Sequence, residues 1–443
     1  MPSQHRGGKL LTVLSHEYPK EHELSPPSEN PFWPEFRRFL SAFAEGLSTD
    51  DNLSDEHLGA IWWREGQGSL EFDQEEADRY RDFLGSAQRA LAPQDDPSRA
   101  TIDKVLQDAM FAVAVAKRDN PEQLAERVDL HIDLAKERLE GQLEQHESWI
   151  EVHGLDPTSL PGQFGRTRFE PFSQTHLDQL DAIDQATNAP IPQASARHML
   201  GKDVSYKGRV IAIQQVQARD PKAAIALATR EVTATLDCLN CFSAIIPYNR
   251  AILRVATSQR PRGSAIRYAY TVAGAFRNSP KAEIPWEYSM EQLWELDKFA
   301  GKTVRRLDDL LREKARSDVD ELLIRAARWT GRAAAADTAE YDFLYTAIAI
   351  DCMMKPVSGQ DKTLLKRVKW LLSDLADIND IDRLWQLRND LVHDGRLEVP
   401  EIDKRMLHEI ALHSLGRLLA DDELKNIYSL ADLDEWFDRQ VGA

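Results

Sequence analysis

Cysteine is scarce: three residues in a chain of 443. So few exclude a disulfide framework, and a reducing cytoplasm is the expected location. Long apolar runs are also missing. The densest, AMFAVAVA at Ala109–Ala116, falls far short of the ~18–20 residues that span a bilayer, so no membrane partner is expected. The apolar run in the N-terminal MPSQHRGGKLLTVLSHEYPKEHEL is too short for an export signal. Positive charge is outnumbered, 55 Lys and Arg against 73 Asp and Glu, for a net charge of −18. That excludes a wholly basic nucleic-acid surface; any such site must be a local patch on an acidic body. No fixed-period repeat, low-complexity tract, phosphate loop, Gly-x-Ser-x-Gly elbow or dinucleotide fingerprint occurs, and no cofactor is expected.

What is present suits a folded chain. Apolar residues at 42% and charged ones at 29% place it among globular proteins rather than disordered ones. Its length allows roughly three domains. The first part has helical periodicity. NPFWPEFRRFLSAFAEGL opens with Asn30 as a cap and Pro34 in the first turn. SDEHLGAIWWREG, DQEEADRYRDFLGSAQRAL and PSRATIDKVLQDAMFAVAVAKRD follow, and NPEQLAERVDLHIDLAKERLEGQLEQHESW predicts one long helix from Asn120 and Pro121. The period then changes. Asp156–Gly165 predicts a loop, YKGRVIAIQQVQARD a strand, and Asp220-Pro221 caps a helix through CLNCFS. AILRVA and IRYAYTVA predict two more strands joined by a hairpin-like turn, and Arg277–Trp286 a linker. The chain therefore reads as mainly α, with a helical N-terminal region (1–155), a small central α/β module (156–285) and a helical C-terminal region (286–443).

Several metal-like spacings carry little. Cys238 and Cys241 have the spacing of half a zinc site, but the only other cysteine is Cys352. Two small side chains at i,i+3 of a helix simply pack, and no metal is assigned. His408 and His413 stand one residue too far apart to share a helix face. The His16–Glu23 cluster lies around a proline, without a scaffold to fix ligands.

The C-terminal stretch WQLRNDLVHDG, Trp385–Gly395, is different. Its Arg-x-x-x-x-His spacing alone means nothing: with 37 arginines and 12 histidines, about one such pair arises by chance. The setting matters. Ile381, Leu384, Trp385, Leu391 and Val392 define an apolar arc, and at about 100° per residue Arg388 falls near its middle. His393 lies about 140° away, so the two converge only if the helix ends at His393 or two copies of it meet. Asp394-Gly395 supplies the ending. The apolar segment YDFLYTAIAIDCMM holds one acid beyond its first turn, Asp351. Two readings of that acid stand. It forms a structural ion pair with Arg388, or it orients Arg388 or His393 in a polar site. In DKTLLKRVKWLLSDL, Lys362, Lys366 and Lys369 form a cationic ridge within a region, 301–443, that carries 22 basic and 28 acidic residues. The ridge is either a phosphate-backbone contact or an ordinary solvated face.

A helix with a lone acid, then a basic amphipathic helix, then LWQLRNDLVHDG resembles the HEPN domain over about residues 320–420. The resemblance is closest to the ApeA-like branch of prokaryotic anti-phage proteins, and Arg388, Asn389 and His393 match the family's Arg, polar residue, three variable residues, His. The segment holding ARDPKAAIALATREV is loosely similar to what precedes the HEPN domain in such proteins. The resemblance implies a C-terminal four-helix bundle of HEPN type and metal-independent RNA cleavage. His393 would transfer protons, Arg388 grip the phosphate, Asn389 orient and Asp351 hold Arg388, with Lys362, Lys366 and Lys369 on the RNA. It further implies a homodimer through the C-terminal helices, residues before about 300 that sense a phage trigger or restrain the nuclease, and abortive infection as the outcome. HEPN toxins silenced by a partner nucleotidyltransferase carry a tyrosine where Gly395 stands, so the resemblance does not extend to that pairing. Two rivals remain at this stage. One is a non-catalytic HEPN scaffold or nucleotide-binding regulator in which Arg388 only salt-bridges Asp351. The other is an enzyme of another class with its site in the α/β module, involving Cys238 and Cys241.

Overall fold

The computed structural model describes residues 30–46, 58–64, 68–91, 97–119, 121–176, 178–179, 182, 209–243, 254–255, 269–271, 274–276, 289–299, 302–336, 338–355, 357, 361–375, 378–393 and 398–442. The fold is mainly helical with a small antiparallel sheet. It packs as two compact units, residues 1–142 and 143–443.

The first unit holds α1 (Phe32–Gly46), a hairpin of β1 (Leu58–Arg64) and β2 (Gly68–Asp73), then α2 (Gln74–Leu91), α3 (Arg99–Asp119) and α4 (Leu124–Leu139). Asn30 caps α1, its Oδ1 accepting the Phe32 N–H at 3.1 Å. Phe32, Trp33, Phe36 and Phe83 centre its core. The hairpin replaces an expected helix. Ile61, Trp62 and Trp63 favour a pleated strand, and the segment pairs antiparallel with 68–73.

The second unit begins where the long helix was expected to continue. That helix ends at Leu139, and β3 (Glu144–His153) follows. The reason is period: Ser148, Ile150 and Val152 are buried alternately, so the segment fits a sheet edge to edge rather than a helix face. Asn120, the expected cap, lies outside the described residues, as do the expected linker and the turn between AILRVA and IRYAYTVA. The sheet runs β4 (Gly162–Phe164), β5 (Thr167–Pro171), β6 (Val210–Ala218), β3, β7 (Arg254–Val255), each neighbour antiparallel. The expected loop 156–165 thus contributes a strand. Residues of IRYAYTVA pair β8 (Ala269–Thr271) with β9 (Gly274–Phe276), while AILRVA pairs with β3 instead.

Helix α5 (Pro221–Ser243) covers one sheet face. Asp220 caps it as expected, Oδ1 accepting the N–H groups of Lys222 and Ala223 at 2.9 Å. Then come α6 (Met290–Phe299), α7 (Thr303–Arg312), α8 (Asp318–Ala334), α9 (Ala339–Met354), α10 (Asp361–Leu371), α11 (Ile381–His393), α12 (Glu401–Ala420) and α13 (Leu430–Gly442). The boundary expected at residue 285 does not divide the core. One apolar cluster runs from Ile150 on β3 to Phe437 on α13.

Two close backbone approaches fix this unit, one between sheet and helix and one between two helices. Gly165, in the left-handed region at φ 59°, turns β4 into β5 and donates its N–H to Asp308 Oδ1 on α7 at 2.7 Å. Burial raises the Asp308 carboxyl, although this N–H and Arg312 oppose that. On the other side α5 and α8 meet at Gly331, where a Cβ would sit 1.6 Å from the Asp237 carbonyl oxygen. Arg332 and Arg328 on α8 then reach Asp237 at 2.8 and 3.8 Å. Cys238 and Cys241 are buried beside this contact, and burial pushes the Cys238 thiol up to about 12 and raises Cys241 as well.

Gly331→Ala should therefore force α5 and α8 apart and cost about 1–3 kcal/mol or more. Gly85→Ala, whose new Cβ meets only the Arg89 side chain at 3.6 Å, should be neutral or stabilising. Urea unfolding of both variants checks this; equal midpoints would contradict it.

Candidate functional site

The candidate site lies where α9, α10 and α11 meet. Helix α9 is apolar and central, burying Phe343, Ala347, Ile350, Met353 and Met354. Helix α11 buries Ile381, Leu384, Trp385 and Leu387, but its last turns emerge from the core. Arg388 and Asn389 are half-buried, Val392 is 45% exposed and His393 is exposed. The helix ends at His393; Asp394 and Gly395, read as its stop signal, lie outside the described residues.

Arg388 keeps its place on the apolar arc without a carboxylate. Its guanidinium lies over the Trp385 ring at 5.6 Å, and Nη1 donates to Asn389 Oδ1 at 3.0 Å. Among the described residues it makes no ion pair. A cation over an indole face is stabilised by the ring quadrupole, and i,i+3 spacing brings the two side chains together. The expected Asp351–Arg388 pair is not formed. Asp351 is 40% exposed and pairs with Lys355 at 3.0 Å, one turn further along the chain. Lys355 is the more buried partner and also reaches Asp361 Oδ1, the first residue of α10, at 2.6 Å. Distance along a helix decides this: an ammonium four residues away meets the carboxylate before any group on another helix does.

Lys355 and Asp361 were not identified from sequence. Lys355 follows the end of α9 and Asp361 opens α10, so neither belongs to a periodic pattern. Desolvation lowers the Lys355 ammonium, but the Asp361 and Asp351 carboxylates outweigh it and hold it above its ordinary value. Burial raises the Asp361 carboxyl, but the Lys355 ammonium, the Trp385 indole and the Arg388 guanidinium bring it below the usual range. The Arg388 charge therefore faces Asp361 more than Asp351, through space rather than in contact.

The expected lysine ridge on α10 divides. Lys362 and Lys366 are exposed and, among the described residues, form no ion pair. Lys369 is bound to Asp382 on α11. Arg367, the fourth cation of the run, is buried and structural. It holds Asp434 and Asp438 of α13 at 2.7 Å each, donates to the Met354 carbonyl at 2.9 Å and lies over Phe437. Away from this site, His408 is buried near Asp342 at 3.7 Å and His413 is exposed, so the two do not face one another.

The open sheet face carries a second polar centre, which the sequence did not reveal. A cavity of about 270 Å³ is lined by Glu147, Trp149, Arg168, Glu170, Ser173 and His176. His176 Nδ1 accepts the Ser173 N–H at 3.1 Å and lies 2.8 Å from Ser173 Oγ. Nε2 then carries the proton toward Glu170 Oε2 at 3.2 Å. Only the return arm of a capping box is present: His176 Nδ1 takes the Ser173 N–H, while the His176 N–H goes to the Ser173 carbonyl oxygen at 3.1 Å.

Comparison with family models, curated proteins and solved structures gives no match. Among the described residues, no helix is long and apolar enough to cross a membrane.

The Asp361 carboxylate stabilises the fold above its ordinary value of 3.8, and that contribution is lost as pH falls through the lowered folded value. Lys355 contributes below its ordinary 10.5 and loses this as pH rises through the raised folded value. Asp361→Asn should then cost up to about 1 kcal/mol at pH 7, because the carboxylate is nearly half-exposed and screened. The gap to wild type should close below pH 3.8. Urea midpoints across that range check this, and a gap independent of pH would contradict it.

Proposed function

We propose that this chain is a metal-independent endoribonuclease of a prokaryotic anti-phage system, working as a homodimer through its C-terminal helices. One observation carries the reading: Arg388 stands half-buried at the emerging end of α11 with, among the described residues, no carboxylate bound to it, beside an exposed His393. A purely structural arginine in that position would be neutralised by an acid, as Arg367 is by Asp434 and Asp438. A scaffold that keeps Arg388 only to bridge Asp351 lacks that bridge. That α9, α10, α11 and α12 share one core, with the motif at the end of α11, supports a HEPN-type bundle.

The chemistry follows from the groups. RNA carries its own nucleophile. A neutral imidazole takes the 2′-OH proton, O2′ attacks phosphorus, and the P–O5′ bond breaks. A second, protonated imidazole gives its proton to O5′. The products are a 2′,3′-cyclic phosphate and a 5′-hydroxyl. Histidine titrates near neutrality and serves in both roles. The phosphorane gains negative charge, which a guanidinium fork holds through two oxygens. Because Arg388 and His393 diverge by about 140° on one helix, a two-fold pair supplies the second imidazole and closes the cleft. Asn389 and Trp385 orient Arg388, taking the role first given to Asp351, and Lys362 and Lys366 hold the flanking backbone. Residues before about 300 answer a phage trigger.

Wild type incubated with RNA should leave 2′,3′-cyclic phosphate ends in the presence of EDTA. His393→Ala and Arg388→Ala should each lower the rate by about 10²-fold or more. Arg388→Lys should not restore it, since an ammonium lacks the fork. Cleavage by His393→Ala at the wild-type rate would remove this function.

A further inference from the structure

Helices α8 and α9 are joined by residues 335–338 and fold back on each other, and their outer sides form a surface that the cleavage chemistry does not use. Spacings of four, three and four place Tyr341, Tyr345, Ile348 and Cys352 on one stripe of α9. The facing stripe of α8 carries Arg325, Arg328, Trp329 and Arg332. The rings form a ladder. Tyr341 stacks on Tyr345 with centroids 5.9 Å apart and planes 20° apart, and Tyr345 meets Trp329 at 5.4 Å. The Arg332 guanidinium covers Trp329 at 5.1 Å.

This ladder is poorly explained as core. Tyr341 is 55% exposed, and Tyr345 and Trp329 are half-buried. Its charge is also unlike that of the chain. Arg328 and Arg332 share a single carboxylate, Asp237, whose pKa burial raises. Arg325 is exposed and, among the described residues, makes no ion pair, and its charge reaches Cys352 at the far end of the stripe. The flanking Asp342 turns instead toward Lys404 and His408. Arg325, Arg328 and Arg332, with Asp237 the one carboxylate paired to them among the described residues, make a cationic patch on a protein of net charge −18. Stacked rings bordered by arginines suit unpaired bases, which offer a π-face whatever their sequence, while the cations follow the phosphates. A duplex hides those faces.

We propose that the α8–α9 face binds single-stranded nucleic acid, with bases stacked on Tyr341, Tyr345 and Trp329 and the backbone held by Arg325. It rests on the ribonuclease reading only in taking RNA as the natural strand. The test uses full-length His393→Ala protein and a labelled single-stranded RNA of about 12 nucleotides, within the span of such surfaces, read by fluorescence anisotropy. Adding Tyr341→Ala or Tyr345→Ala should weaken binding about 10-fold, and Tyr341→Phe should keep it. Arg325→Ala should weaken binding and lower the salt slope by about one counterion. A duplex of the same sequence should bind far more weakly. No binding, equal binding by a duplex, or unchanged affinity in Tyr341→Ala and Arg325→Ala overturns the proposal. So does loss of dimerisation in Tyr341→Ala with RNA affinity intact, which makes this face an interface between copies. Failure of the ribonuclease reading looks different: wild type then binds the strand through these residues and leaves it uncut.

Discussion

Helix α8 lies against α5 because residue 331 has no side chain. The approach is close enough that a single methyl group would collide with the Asp237 carbonyl. From that contact much of the second unit follows. It lets Arg328 and Arg332 reach Asp237 and buries Cys238 and Cys241 between helices. It also makes the sheet and the C-terminal helices one core, so α8 serves as a fixed wall against which α9 packs. Interiors of this density transmit position rather than absorb it. A guanidinium on α11 therefore has a defined place, because α11 packs on α9 and α9 on α8.

Within that frame, two arginines on neighbouring helices show opposite solutions to the same problem. Arg367 is buried, and two aspartates of α13 neutralise it. Arg388 also lies on the core side of its helix, but it rests on an indole ring and an amide oxygen, neither of which cancels its charge. The Lys355–Asp361–Asp351 cluster beside it supplies negative potential without contact. A cation held this way keeps donors for an incoming anion. That is the physical basis of the proposed phosphate grip, and it does not depend on the family resemblance.

Much of this was legible in the sequence where local chemistry decides. Asp220-Pro221 and Asn30 behave as caps because an Asx oxygen needs only the next few N–H groups. The central position of α9 and the place of Arg388 on the apolar arc follow from periodicity alone. The failures occur where distant residues decide. Residues 58–73 have helical neighbours yet form a hairpin, and 144–153 leave a charged helix to pair with β6, because strand pairing outweighs weak local propensity. Asp351 is the local exception: its ion pair is with Lys355, four residues on, and not with Arg388 on another helix. Periodicity marks Lys355 as outside the helix, while space puts it within reach. The Gly331 contact that brings α5 against α8 likewise has no sequence signature beyond a glycine in a helix.

The central claim is that Arg388 is held ready for a phosphate passing through a pentacoordinate state. Uridine–vanadate mimics that state without being cleaved. Calorimetric titration of the complex into wild type and Arg388→Ala tests the claim most directly. The account predicts tight binding by wild type that falls about 100-fold or more when the guanidinium is removed. Equal binding by the two proteins would contradict it.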